Sequence, residues 1–452
     1  MLDLTGLLGL AFVFATLLIF SSRHKEIQLV LVAALIFRSV SVLFHEYIMP
    51  LPDGTGDAVG FEAMAWDYTV HGPYTGSQTV PDHQILGSCA YTGLIRSQCW
   101  FWMHYPGPNS DFFPWLMSLV YLIAGRSFLL LQSISVFVGV LSVYATWLLG
   151  SEIWGERAGQ RAAWVMALFP TVVMYSALPL REVYLVCLLM FGLVWVARWA
   201  RQGRVNQAIG AFLLFGIGTF FHGSIFVVTL AFLVVIASKL FWRGGQSFIR
   251  GRLHLTALVG LVIVGGSILF WGLSGTYVDK LGRLTDIVDL QRWVSYSQAK
   301  YYADGHAANA VYPEWTAPES TGDLVWAIPV KITYLLFSPF PWDIKTPAHL
   351  IGLIDGLLYF GLVIIIFRNI KTIWRNKAAR TVLLVILPFI FAYGIGTSNF
   401  GTSIRHRAKF VGVLITLASF WFARLVIHRR PTDIENNTVQ PNQNIRIGAT
   451  NK

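Results

Sequence analysis

The chain is expected to fold as an all-α, polytopic transmembrane helical bundle, and three observations point there. Across 452 residues it is 55% hydrophobic and 13% charged, with 17 Trp and a mean hydropathy of +0.59, whereas a soluble protein carries about a quarter charged residues. Its apolar residues gather into runs such as 255–270 and 350–367, and runs of roughly 17–25 residues cross a hydrocarbon core as helices. Those runs are continuous, unlike the alternating strands of outer-membrane barrels. Helices also satisfy their own backbone hydrogen bonds, as lipid requires.

Taken in order, the apolar runs predict eleven crossings, near 4–20, 27–46, 127–149, 162–178, 181–199, 206–222, 223–240, 254–273, 349–367, 381–397 and 409–427. The stretch 324–341 is apolar too, but Pro329, Pro339 and Pro341 interrupt it. Proline removes a backbone donor, so this segment reads as interfacial or re-entrant. The first run is not a cleaved signal peptide, because Asp3 stands in place of a basic n-region and no small-x-small site follows Phe20.

Charge sets the orientation. The connections 21–26, 150–161, 198–205, 239–253 and 368–380, together with the tail from Arg424, hold 21 of the 34 Lys+Arg and 5 of the 23 Asp+Glu. Lys/Arg enrichment marks the cytoplasmic side, which puts the N-terminus out and the C-terminus in. The same bias accounts for the net charge of +11 and a pI near 9.6 without nucleic acid, for which no motif is present. Residues 1–430 then form one membrane domain, followed by a disordered cytoplasmic tail over 431–452. Two long extracytoplasmic segments stand out, 47–126 and 274–348, and long loops tend to be functional. The end of the first, 111–124, reads as an amphipathic interfacial helix. Aromatics in both loops suit either sugar faces or headgroup depth. Cys89 and Cys99, in the first loop, are either bridged or free thiols; no Cys/His spacing supports zinc.

Three constellations carry candidate chemistry. In the first loop, Gly54 and Gly56 allow a turn that brings Asp53 and Asp57 toward one point. Asp57 then opens a helical repeat with Phe61 and Ala65 on one face; it is either a general base or a plain N-cap. Arg181 and Glu182 follow Pro179 at an outer hinge, where they form either a functional site or a mutual ion pair. His222 marks another outer junction, with a hydrogen-bonded structural role as the alternative. Finally, Arg405, His406, Arg407 and Lys409 run against the charge bias at the mouth of the last span. Arginine forks match phosphate oxygens, and the alternative is snorkelling to headgroups.

The order of these features resembles a known family. An outer-loop Asp57-x3-Phe61-x3-Ala65 is followed by an amphipathic segment ending at Gly125. Then come Trp154-Gly-Glu-Arg157, Leu168-Phe-Pro170-Thr-Val-Val-Met-Tyr175 and Leu180-Arg-Glu182. This looks like the GT-C integral-membrane glycosyltransferases, such as protein O-mannosyltransferases and aminoarabinose transferases. The later Phe337-Ser-Pro-Phe-Pro341-Trp and Arg405-His-Arg407 resemble members tied to bacterial surface polysaccharides. The resemblance implies that Asp57 is the catalytic aspartate, with Asp53 as its alternative. It also implies a polyprenyl-phosphate or diphosphate sugar donor, and an acceptor hydroxyl on a glycan, lipid or protein. The expected location is the bacterial cytoplasmic membrane, with the site facing outward. Arg181, Glu182, His222, Arg405, His406 and Arg407 would bind substrate or phosphate. No soluble nucleotide-sugar site is needed, no cofactor is assigned, and a divalent cation shared by Asp57 and Glu182 stays open. Two departures stand out: an extra span at 4–20, and no large soluble C-terminal domain. A repeat-unit polymerase of the same chemistry and a lipid-linked glycan transporter or flippase are the rival readings.

Overall fold

The computed structural model describes residues 3–71, 112–249, 259–262, 265–266, 269, 289–305, 310–345 and 347–424. Over that range the chain is helical: α1 (Leu4–Ser22), α2 (Gln28–Tyr47), α3 (Asp57–His71), α4 (Phe112–Ala124), α5 (Phe128–Trp154), α6 (Glu156–Leu168), α7 (Pro170–Ser176), α8 (Arg181–Gln202), α9 (Val205–Phe221) and α10 (Ile225–Ile249). After them come α11 (Leu290–Gly305), α12 (Leu324–Phe337), α13 (Pro347–Arg368), α14 (Ile370–Arg375), α15 (Lys377–Gly396), α16 (Phe400–Ala408) and α17 (Val411–Arg424). Among the described residues the one β-type contact is a bridge between Val311 and Asn399.

Seven helices are long and apolar enough to cross a membrane: α1, α2, α5, α8, the first 18 residues of α10, α13 from His349 onward, and α15. The expected crossings at 206–222 and 409–427 are represented by the shorter apolar helices α9 and α17. Most of the 254–273 crossing, residues 72–111 of the first outer segment with Cys89 and Cys99, residues 274–288 and 306–309 of the second, and the 431–452 tail lie outside the described residues. One crossing is corrected. The run 162–178 is two helices, α6 and α7, separated at Phe169. Pro170 has no N–H to give the carbonyl of Met166, so the ladder breaks there.

That break is sealed by a charge from another span. Arg38 of α2 is fully buried and donates to the carbonyls of Ala167 (3.1 Å), Met166 (3.5 Å) and its own Ala34 (3.2 Å). The guanidinium thus meets the negative end of α6, which explains a strong charge deep in an apolar run.

α5 and α8 form the centre of the bundle, with α1, α2 and α6 against α5, and α9 and α15 against α8. Local chemistry fixes their ends. Asp3 caps α1 through Gly6 N (2.8 Å) and also accepts the hydroxyl of Ser127, which caps α5 through Leu130 N (3.0 Å). Gly155, at φ 95°, makes the tight return from α5 to α6. The apolar segment with the internal proline folds as α12, packed on α13, α15 and α16.

Contacts sort the connections into two ends. At one end lie Arg198 and Arg201 on Glu152, Gln160 on the carbonyl of Glu26, and Asn376 on the carbonyl of Ile153. At the other, residues 48–56, 177–180, 222–224 and 397–409 come together, and the candidate residues gather there.

Arg38→Leu is expected to destabilise the purified protein by about 1–3 kcal/mol for each carbonyl left unpaired. Thermal unfolding in detergent measures this, and Arg38→Lys should recover part of the loss.

Candidate active site

The site is built around one guanidinium. Arg405, on the nine-residue α16, donates from Nε to Glu182 Oε1 at 2.7 Å. Through Nη1 it forms a hydrogen-bonded ion pair with Asp57. Its remaining nitrogen, Nη2, makes no hydrogen bond among the described residues. The two carboxylates differ in setting: the Glu182 side chain is 2% exposed and that of Asp57 is 58% exposed. Lys409 Nζ stands 3.8 Å from the same Glu182 oxygen.

Each partner arrives for a local reason. Asp57 is the first residue of α3, as the spacing predicts, and Ala58, Phe61 and Ala65 form the buried face behind it. Phe61 meets Phe113 edge-on at 5.5 Å, and the guanidinium of Arg181 lies 5.4 Å from its ring. The helix is pinned to α4 by Glu62, which accepts two bonds from Arg126 (2.8 and 2.9 Å) and one from Tyr121 (3.0 Å). Glu182 opens α8 just after the Pro179 hinge, where unsatisfied N–H groups favour a carboxylate.

Asp53 completes the carboxylate group. It accepts a hydrogen bond from the Tyr175 hydroxyl at 3.1 Å. The left-handed residue in this turn is Asp53 itself, at φ 63°, and not one of the glycines on which the turn expectation rests. Aspartate visits that region more readily than most side chains. Gly54 is needed for space: a Cβ there would lie 2.3 Å from His45 Cε1 and 2.8 Å from the Leu51 carbonyl. Although the Asp53 residue is exposed, its carboxyl faces the cluster. Dehydration, with Asp57 and Glu182 nearby, pushes its pKa up, while Arg405 and the Tyr175 hydroxyl pull the other way.

Not every candidate reaches this point. Arg407 is corrected: it is fully buried and points to the opposite side of α16. There it pairs with Asp355 (2.7 and 2.8 Å) and donates to the carbonyls of Leu336, Ser338 and Gly352. Residues two apart on a helix do not share a face, so one phosphate cannot be held by both arginines. His222 and His406 flank Tyr393. His406 lies 4.3 Å from that ring and bonds Thr397 through Nδ1 (2.9 Å). His222 Nδ1 bonds Ser224 Oγ (2.7 Å), which bonds Tyr393 Oη (2.6 Å). Tyr393 in turn receives Lys409 Nζ at 3.1 Å.

Tyr175, Ser224, Tyr393 and Asp355 are participants that sequence reasoning missed. A buried tyrosine in an apolar run is the one available signal, since its hydroxyl needs a partner. Among the described residues no group of three His, Cys, Asp or Glu could hold a metal ion. The cation that Asp57 and Glu182 share is Arg405.

Chemically, the exposed edge joins an acceptor of protons to a donor of charge-assisted hydrogen bonds, with a buried anion holding the donor in place. Residues 110–271 match the family model described as dolichyl-phosphate-mannose-protein mannosyltransferase. That segment contains Tyr175, Arg181, Glu182 and His222 and stops well short of Arg405. No curated protein matches the chain.

Gly54→Ala is expected to lower turnover severalfold while leaving the unfolding temperature nearly unchanged, because only the turn holding Asp53 and Asp57 must shift. Paired activity and melting measurements check this. Equal losses in both would remove the local explanation.

Proposed function

We propose that this chain is a membrane glycosyltransferase of the GT-C type, a reading the family match over residues 110–271 supports, and that it takes its sugar from a polyprenyl phosphate or diphosphate at the outward end of the bundle. The acceptor is a hydroxyl of an envelope glycan, lipid or protein, and the setting is the bacterial cytoplasmic membrane. The observation that carries this reading is the contact of Arg405 with Asp57, beside an unused guanidinium nitrogen. The orientation is supported by the basic connections gathered at the other end, as the positive-inside bias requires.

The step balances simply. Asp57 Oδ2 accepts the proton of the acceptor hydroxyl, and the freed oxygen pair forms a bond to the anomeric carbon. The bond from that carbon to the donor's phosphate oxygen breaks, and its electron pair leaves with the phosphate. Arg405 faces the charge that develops there, and Arg181 and Lys409 add positive potential around Glu182. Because Glu182 already fixes Arg405, the donor meets a guanidinium that needs no reorganisation.

With a purified enzyme and a polyprenyl-linked donor, Asp57→Asn should lower kcat about 10²–10⁴-fold, the usual contribution of a general base. Arg405→Ala should cost about 10²–10³-fold in kcat and weaken donor binding. Unchanged turnover in the first variant removes Asp57 from its role, and unchanged donor affinity in the second removes the phosphate assignment.

A pH dependence follows from Asp53. A phosphodiester donor stays ionised across the working range, whereas Asp53 titrates above the ordinary aspartate range. As pH rises through that window, Asp53 gains a negative charge close to Arg405 and repels the donor. Donor affinity should therefore fall with rising pH there. Asp53→Asn should flatten the profile at the tighter, low-pH value; a binding curve indifferent to Asp53 would contradict this.

A further inference from the structure

The start of α16 is held by residues from the second outer segment. Tyr312 N donates to the Ser398 carbonyl (2.9 Å) and Phe400 N to the Ala310 carbonyl (2.7 Å), making the bridge between Val311 and Asn399. Asn399 caps the helix through Gly401 N (2.8 Å), and the hydroxyls of Tyr312 and Ser403 bond to one another. Within this arrangement sits a buried ammonium. Lys331, on the apolar α12, is 2% exposed; its Nζ donates to Ser297 on α11 and to Ser398 Oγ at 3.2 Å.

We infer that Lys331 is a positioning residue for sugar transfer: by fixing Ser398, it sets where Arg405 presents its guanidinium to the donor phosphate. The inference rests on the phosphate reading of Arg405. A methionine would fill much the same space without the cost of burying a charge, so packing of α12 does not account for lysine there. What the ammonium adds is a directed tie between α11, α12 and Ser398, the residue before the Asn399 cap of α16. α16 starts at Phe400, directly after the extended Asn399 that follows Ser398, and carries Arg405 on its second turn, on the order of 8 Å along at 1.5 Å per residue. A shift at its start is transmitted as a rigid displacement. The Arg405–Glu182 bond, at 2.7 Å, does not survive a displacement of roughly 1 Å.

The test measures binding of undecaprenyl phosphate, the leaving group of such a donor, to the full chain in nanodiscs. Lys331→Met should weaken binding by roughly tenfold, and Arg405→Ala by at least as much. The double variant should bind no more weakly than Arg405→Ala alone, because both changes remove one interaction. Multiplied losses in the double variant, or unchanged binding in Lys331→Met, overturn the positioning role. If Lys331→Met does not fold, Ser398→Ala removes a single hydrogen bond and goes through the same cycle under the same criteria. Unchanged binding in Arg405→Ala sinks the phosphate reading and takes this inference with it. A weakened Arg405→Ala beside an indifferent or additive Lys331→Met sinks the inference alone.

Discussion

A carboxylate buried at the head of a membrane-embedded helix must be met by positive charge, and Glu182 imposes that requirement on everything around it. Arg405 answers at 2.7 Å and Lys409 at 3.8 Å. Breaking a buried pair by removing one partner costs about 3–5 kcal/mol, whereas an exposed pair is worth about 0–1 kcal/mol. The two sides of Arg405 are therefore unequal. Glu182 holds the arginine in place, and Asp57, more than half exposed, merely visits it. A substrate can exchange with Asp57 at little cost while the guanidinium stays fixed.

Irregular backbone supplies the rest of the site. The chain breaks at Phe169–Pro170, at the Pro179 hinge, at His222 and over 397–399, and the last three breaks lie at the end where the carboxylates and cations meet. Each break frees backbone groups that lipid cannot satisfy, so each is closed by a polar side chain. Arg38 closes the first, Gln132 donates to the Ala177 carbonyl at the second, the His222–Ser224–Tyr393 chain crosses the third, and Asn399 caps the fourth. The opposite end is made of basic turns, and most of its polar contacts are single arginine, asparagine or glutamine bonds. The candidate residues gather where the helices are interrupted.

The parts legible in the sequence were those written locally. Apolar length marked the spans, Lys/Arg excess marked one end, and a four-residue repeat placed Asp57 ahead of Phe61 and Ala65 on α3. The parts that misled were long-range or depended on direction. Hydropathy runs straight through Pro170, because a missing donor changes no apolar average. Asp355 and Tyr393 sit in apolar stretches far from the partners they serve, so nothing near them in the chain advertises Arg407 or Lys409. The turn at Asp53 looked like the work of two glycines, yet the aspartate takes the strained conformation and Gly54 makes room for it.

The pairing of Arg405 with Arg407 is the most instructive of these, because helix geometry turns an apparent duplication into a division of labour. Two residues apart, the guanidinium groups leave α16 on different sides. One reaches Glu182 and Asp57; the other is sunk among Asp355 and three carbonyls. Arg407 anchors the far side of α16 in a site in which all three of its nitrogens are engaged, and the ties at Ser398 and Asn399 anchor its start. The buried arginine therefore anchors the helix that carries Arg405, the arginine proposed to meet the donor. The cationic edge facing Asp57 is preorganised by a core contact on the far side of the same short helix, which is how a donor of charge stabilisation acts without reorganising as the reaction proceeds.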